Sequence, residues 1–109
     1  MKQPIRVSLD EICHLAYVEY RNFDEEADGT LRVLREPDGC VREYGRNDGR
    51  ENEGSGVHVD LNASDEIVGI EIICIDEPEL VALARDYAAD NDLAFPDDIR
   101  AAAARSPAA

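Results

Sequence analysis

The feature that most constrains the fold of this chain is a pair of apolar, alternating segments in its second half. Residues 57–61 alternate between apolar and polar side chains, and residues 67–75 are apolar at almost every position. A polar stretch at 62–66 separates them. Because successive side chains of a strand point to opposite faces, this pattern predicts two strands joined as a hairpin. Ile73 and Ile75 make both faces of the second segment apolar at its C-terminal end, so that end must be covered.

Two further hairpins are predicted upstream. Residues 5–9 alternate between apolar and polar, and residues 15–20 are rich in β-forming side chains, so these segments should pair. Residues 31–34 and 40–44 flank a Pro-Asp-Gly turn at 37–39, which is typical of a short hairpin.

Helices are predicted for residues 76–105. Asp76 and Glu79 have the spacing of a capping box. The apolar side chains that follow recur at helical spacing and would form one stripe: Leu80, Leu83, Ala84, Tyr87 and Ala88. Asn91 is expected to end this helix, and the Pro-Asp-Asp sequence at 96–98 is expected to open a shorter, Ala-rich one.

These patterns predict an α+β fold: a small antiparallel β-sheet made of hairpins, with one or two C-terminal helices packed on it. The 109 residues are expected to form a single domain, 1–109, with 5–75 mainly β and 76–105 helical. Residues 45–56 contain no apolar side chain and predict a mobile polar loop.

The acidity of the chain limits its partners. The chain has 25 acidic and 11 basic residues, for a formal net charge of −14. Binding to nucleic acid or to anionic lipid needs clustered Lys and Arg, so neither partner is expected. The acidic residues are spread along the chain, which is typical of a solvated surface. The same charge could instead form a docking face for a basic protein, whose approach the negative field would accelerate.

Cysteine usage indicates a reducing compartment. Cys13, Cys40 and Cys74 are odd in number and have no CxxC spacing, which predicts free thiols. No N-terminal apolar stretch resembles a signal peptide, and no run approaches membrane-spanning length. The protein is therefore expected to be cytoplasmic, with no membrane contact.

Two parts of the chain resemble a bacterial family. The first is the predicted N-terminal hairpin, residues 6–10 and 15–18. The second, which carries most of the likeness, is the hairpin of residues 57–61 and 67–72, with its Val-Gly-Ile-Glu-Ile strand. Both resemble the YuzE-like family of bacterial proteins of unknown function, over roughly a third to a half of the chain.

The resemblance implies a compact antiparallel sheet and no established activity. Some members of that family are suspected to act as antitoxin-like partners of small toxins. Cys13-His14 stands where the family usually has Ala-Asp, and Ser64-Asp65 stands where an Asp-Gly turn is common. Two parts of the chain go beyond the usual short domain of this family. They are the polar stretch between the two hairpins and the C-terminal helices. Residues 23–28 offer a rival register for the Ala-Asp motif.

Two segments approach the spacing of an EF-hand calcium loop. Residues 24–35 fail at the last position, because Arg35 cannot ligate a cation. Residues 60–71 have Asp65 where the sharp turn needs Gly, and their flanks are typical of strands. The candidate ligands in this segment are Asp60, Asn62, Ser64, Glu66 and Glu71. The alternative is a polar hairpin turn whose Asx residues cap their own backbone, and neither a metal nor a cofactor is expected.

The two histidines suggest another candidate site. His14 and His58 lie beside strands that could be neighbours, and with Asp60 or Glu71 they could bind a metal or perform acid–base chemistry. The alternative is two half-exposed strand histidines. Glu71 is unusual because it is a carboxylate in the most apolar strand, beside Gly69 on the same face. It either faces solvent or lies in a notch that a partner fills.

The leading functional hypothesis is a non-enzymatic protein-interaction module, either self-associating or an antitoxin-like partner of a small basic protein. The sequence contains no phosphate-cradling Gly loop, no G-x-S-x-G and no HExxH motif. The alternative is a small metal-binding protein or an uncharacterised enzyme that uses His14, His58, Asp60 and Glu71. A homodimer is expected to form through residues 67–75 or the helix beside them, because that strand's far end needs a cover.

Overall fold

A computed structural model describes residues 1–45 and 56–105 of the chain. The strands are β1 (Arg6–Asp10), β2 (Leu15–Glu19), β3 (Gly29–Arg35), β4 (Val41–Gly45), β5 (Gly56–Leu61) and β6 (Ile67–Ile73). The helices are α1 (Phe23–Glu26), α2 (Pro78–Asp90) and α3 (Ile99–Arg105). The predicted mobile loop at 45–56 lies outside the described residues except for its two end glycines. In the described part of the chain, every helix is too short or too polar to cross a bilayer.

The strands form one antiparallel sheet in the order β1-β2-β6-β5-β3-β4. Each of the three predicted hairpins forms: β1 pairs with β2, β3 with β4, and β5 with β6. Two longer-range pairings, β2 with β6 and β3 with β5, join the hairpins into the sheet. The predicted α+β fold, a small antiparallel sheet with C-terminal helices, is confirmed.

The core lies between one face of the sheet and the C-terminal helices, and we call this the helix face. Its buried strand residues are the alternating apolar side chains Val7, Ala16, Val18, Val33, Val57, Val59, Val68, Ile70 and Ile72. Helix α2 lies over β3 to β6, and α3 lies over β1. The predicted stripe on α2 packs here: Leu83, Ala84, Tyr87 and Ala88 are buried, and Leu80 is half-buried.

The start of α2 differs from the prediction. The helix begins at Pro78 with Glu77 as its N-cap and no side-chain cap hydrogen bond, so the predicted capping box is wrong. The Asp76 carboxylate is instead shared between His14, at 2.6 Å from Nδ1, and Arg100, at 3.4 Å. Because these two side chains take the Asp76 carboxylate, it does not cap the helix.

The end of β6 changes the basis of the predicted homodimer. The strand stops at Ile73, because Cys74 has a left-handed φ of 78° that turns the chain. Ile75 is 7% exposed and belongs to the core that α2 and α3 cover. The chain itself therefore supplies the cover that was expected for Ile75, whereas Ile73 is half-buried. The homodimer therefore stays a prediction.

Candidate functional site

The sheet face opposite the helices, which we call the open face, is polar because polar residues alternate with the core residues along each strand. Cross-strand pairing aligns two rows on it. One row is Ser8, Tyr17, Glu71, His58, Arg32 and Tyr44, and it crosses all six strands. The neighbouring row is Arg6, Glu19, Gly69, Asp60 and Thr30. The open face therefore concentrates ionisable groups on the middle strands.

Tyr17 fills the space above Gly69. A Cβ at position 69 would lie 2.2 Å from the Tyr17 hydroxyl oxygen, so only glycine leaves room for this side chain. The notch that the sequence predicted beside Glu71 is thus filled by the chain's own tyrosine. Burial, followed by the charge of Asp60, raises the pKa of Tyr17 far above its usual value of 10, so the phenol keeps its proton.

Asp60 is fixed by two hydroxyl donors. Tyr17 donates to its Oδ2 at 2.9 Å, and Thr30 donates to its Oδ1 at 2.7 Å. Both carboxylate oxygens are therefore held in place by neighbouring strands. This geometry orients the remaining lone pairs before any ligand arrives.

His58 and Glu71 face each other across β5 and β6, with 3.5 Å between His58 Nδ1 and Glu71 Oε1. Burial raises the pKa of Glu71, and the charge of Asp60 adds to this effect, whereas His58 opposes it. The second nitrogen of His58, Nε2, is buried and has no hydrogen-bond partner among the described residues. The pair is thus a partly desolvated polar contact in the middle of the open face.

A cleft of about 700 Å³ opens at this point, where α1 meets the sheet. Helix α1 was not predicted, because a single turn gives no detectable periodicity. The cleft is lined by Arg6, Ser8, Tyr17, Glu19, Asn22, Phe23, Asp24, Asp60 and Glu71. Four of these side chains are carboxylates and one is a guanidinium. The cleft is therefore a negatively charged cavity with aromatic side chains in its wall.

Glu19 is the most telling residue of the cleft. It is only 9% exposed and lines the cleft, and its carboxylate forms no hydrogen bond or ion pair with any described residue. Its two oxygens open to the cleft, whereas the Nε of its cross-strand neighbour Arg6 is buried without a hydrogen-bond partner among the described residues. Buried polar groups in proteins are almost always paired, so a largely buried side chain that turns an unpaired carboxylate toward a cavity is unusual. Such a group at the wall of a cavity marks a place where the donors of a ligand would bind.

The structure brings together only part of the predicted four-residue site. His58, Asp60 and Glu71 share the open face, with His58 opposite Glu71 and Asp60 opposite Gly69. His14 lies apart, because its carbonyl bonds to Cys74 and its side chain pairs with Asp76. Cys74 is three residues beyond Glu71, which is about 10 Å along a strand.

The candidate calcium ligands are also separated: Asp60 and Glu71 lie on the open face, and the others lie in a turn. Asn62, Ser64 and Glu66 form the turn between β5 and β6, where the Asn62 Oδ1 accepts from the N–H groups of Ser64 at 3.0 Å and Glu66 at 2.9 Å. Glu66 also pairs with Arg21 at 2.9 Å. These bonds are those of an Asx-capped turn. Among residues 1–45 and 56–105, no group of three or more His, Cys, Asp or Glu side chains has a metal-binding arrangement.

Sequence reasoning assigned Arg6, Glu19 and Phe23 to no site, although all three line the cleft. The strand order that brings β2 beside β6 is not visible in the local pattern. One signal was present for Glu19, since it shares a face with Tyr17 and alternates with the buried Val18. An acidic residue in that position of a strand is a candidate for the polar face.

Comparisons of the chain with protein-family models, with curated proteins and with solved structures find no match. The resemblance to the YuzE-like family therefore stays a prediction, and the function is inferred from the geometry of the cleft.

Proposed function

We propose that this protein is a non-enzymatic interaction module that binds a basic partner protein through the cleft on its open face. The single observation that supports this most is Glu19, a largely buried side chain whose carboxylate opens to the cleft without a protein partner. A cationic side chain of a partner would supply the missing donors. An antitoxin-like role, with a small basic toxin as partner, is one form of this function.

Charge complementarity supports a basic partner over a neutral or acidic one. Glu19, Asp24, Asp60 and Glu71 line the cleft against the single guanidinium of Arg6. Charge-assisted hydrogen bonds to carboxylates are about twice as strong as neutral ones, and partial burial strengthens them further. The formal net charge of −14 adds a long-range attraction that would accelerate the approach of a basic protein.

Preorganisation supports binding at this cleft in particular. Asp60 is already held by Tyr17 and Thr30, so it loses little side-chain entropy when a ligand binds. The open face also lies away from the helices that cover the core. A partner could therefore dock here without disturbing the apolar packing of the domain.

Isothermal titration calorimetry with a short peptide of alternating arginine and glycine tests the proposal. We expect the wild-type protein to bind it, and Glu19→Gln to weaken binding about 30-fold or more, because a desolvated charge contact contributes about 2 kcal/mol or more. Glu79→Gln is the matched control, since it removes the same charge from an exposed position on α2. Its affinity should stay within about a factor of three of the wild type.

Three results would contradict the proposal. The wild-type protein could fail to bind the peptide at low salt. Glu19→Gln and Glu79→Gln could weaken binding equally, which would mean that only the overall charge matters. Free arginine could bind as tightly as the peptide, which would make the cleft a site for a small cation and not for a protein.

A further inference from the structure

We infer that the cleft selects arginine over lysine as the side chain that it takes from its partner. This inference rests on the proposed function and specifies the chemical group that the cleft recognises. Both side chains carry one positive charge, so net charge alone cannot distinguish them. The distinction comes from the aromatic wall of the cleft and from the arrangement of its carboxylates.

Phe23 provides the aromatic wall. It lines the cleft from α1 and is 43% exposed, so part of its ring is accessible to a ligand. Its ring meets the Tyr17 ring edge-on, with 5.8 Å between centroids and 87° between planes. This contact fixes the ring in position. A guanidinium is planar and weakly hydrated, so it can stack on such a ring, whereas the strongly hydrated lysine ammonium does so less well.

The carboxylates favour a guanidinium for a second reason. The Glu19 carboxylate opens to the cleft without a protein donor, and Asp24, which follows Phe23 on α1, also lines the cleft. A guanidinium has N–H donors along the edge of its plane, so it can stack on a ring and still donate to carboxylates beside it. An ammonium concentrates its donors at one point, so it combines a ring contact with donation to carboxylates less well.

The chain already contains an arginine bound in this way at another place. The Arg85 guanidinium lies over the Phe95 ring, 5.6 Å from its centroid. The same guanidinium donates to the backbone carbonyls of Pro96 and Asp97 at 3.5 and 3.4 Å. Stacking on phenylalanine with donation to neighbouring oxygens is the geometry that we infer for the partner's arginine in the cleft.

Calorimetric titration with two peptides of equal length and charge tests the inference. One alternates arginine with glycine and the other alternates lysine with glycine. We expect the arginine peptide to bind the wild-type protein about tenfold more tightly, within the range of a partly desolvated cation–π contact. In Phe23→Leu this preference should disappear through weaker binding of arginine, with lysine binding unchanged. Phe23→Tyr keeps an aromatic ring and should keep the preference.

The outcomes separate this inference from the proposed function. Equal binding of both peptides to the wild-type protein would overturn the selection of arginine and leave the basic-partner proposal intact. Binding of neither peptide would overturn both. An equal loss for the two peptides in Phe23→Leu would also contradict the inference, because the ring would then serve only to pack the cleft wall. Urea denaturation of each variant checks that the fold is retained.

Discussion

The two faces of the sheet are built from the same strands and differ in nearly every physical respect. On the helix face, Val57, Val59, Ile70 and Ile72 are completely buried against each other and against α2. On the open face, the same two strands present His58, Asp60 and Glu71 beside a cleft. Because side chains alternate along a strand, one face of the sheet packs the core and the other carries the polar cleft.

The difference shows where stability is gained and where it is given up. The helix face gains from close packing of apolar side chains, which is the main source of stability in a small domain. The open face gathers four carboxylates around the cleft, and burial of one of them, Glu71, opposes folding at neutral pH. A surface that retains such groups is better suited to binding than to holding the fold together.

The largest expected effect is on the helix face. Ile70→Ala removes a completely buried side chain at the centre of the sheet and leaves a cavity. The free energy of unfolding should fall by about 2–5 kcal/mol. Urea denaturation followed by circular dichroism measures this change. A loss below about 0.5 kcal/mol would mean that the helices do not cover this face tightly.

The adjacent residue, Gly69, tests the open face by steric means. In Gly69→Ala the new methyl group would meet the Tyr17 ring and hydroxyl at 2.2 to 2.4 Å, so the tyrosine must move. We expect a loss of about 1–3 kcal/mol. Gly45→Ala is the matched control, because no atom lies within 4 Å of its added Cβ.

A double-mutant cycle isolates the cause of the Gly69 effect. In a Tyr17→Ala background the space above Gly69 is empty, so Gly69→Ala should become neutral or slightly stabilising. A cost that stays the same in both backgrounds would show that the glycine is needed for its backbone and not for the tyrosine.

A smaller effect is expected from Glu71→Gln, and it depends on pH. Because burial raises the pKa of Glu71 above its ordinary 4.5, the native state holds this proton more tightly than the unfolded chain does. The resulting contribution to stability is complete below about pH 4.5 and is lost as pH rises through the raised pKa. The variant should therefore be more stable than the wild type at neutral pH, with the difference vanishing in acid.

Urea denaturation across a pH series measures this difference. Glu79→Gln, at an exposed position of α2, should show no comparable pH dependence. If Glu71→Gln proved less stable than the wild type at neutral pH, the contact with His58 would outweigh the cost of burial, and the open face would stabilise the fold at this point.

The sequence was sufficient to predict the helix face. Alternation in β1, β5 and β6 and the stripe from Leu80 to Ala88 identify which side chains are buried, because burial imposes the strand and helix periods directly. The capping box failed for the opposite reason. Asp76 has suitable spacing to Glu79, but His14 and Arg100, which are distant in sequence, take its carboxylate.

The cleft was only partly predictable. The sequence pointed to His58, Asp60 and Glu71 because they interrupt apolar strands, and the structure places all three on the open face. Glu19 and Phe23 belong to other elements, and only the pairing of β2 with β6 brings them beside Glu71. Long-range strand order depends on the whole chain, so local patterns do not determine which polar residues meet.

Thermal denaturation of the wild type and of Glu19→Gln, each with and without the arginine–glycine peptide, tests most directly whether the open face is a binding surface. We expect Glu19→Gln alone to melt at a higher temperature, because one of the four carboxylates that repel each other around the cleft has been replaced by a neutral group. The peptide should raise the melting temperature of the wild type, since a ligand stabilises the state that it binds, and should leave the variant nearly unchanged. A variant that is less stable than the wild type, and that the peptide stabilises equally, would contradict the claim that the open face retains Glu19 for binding.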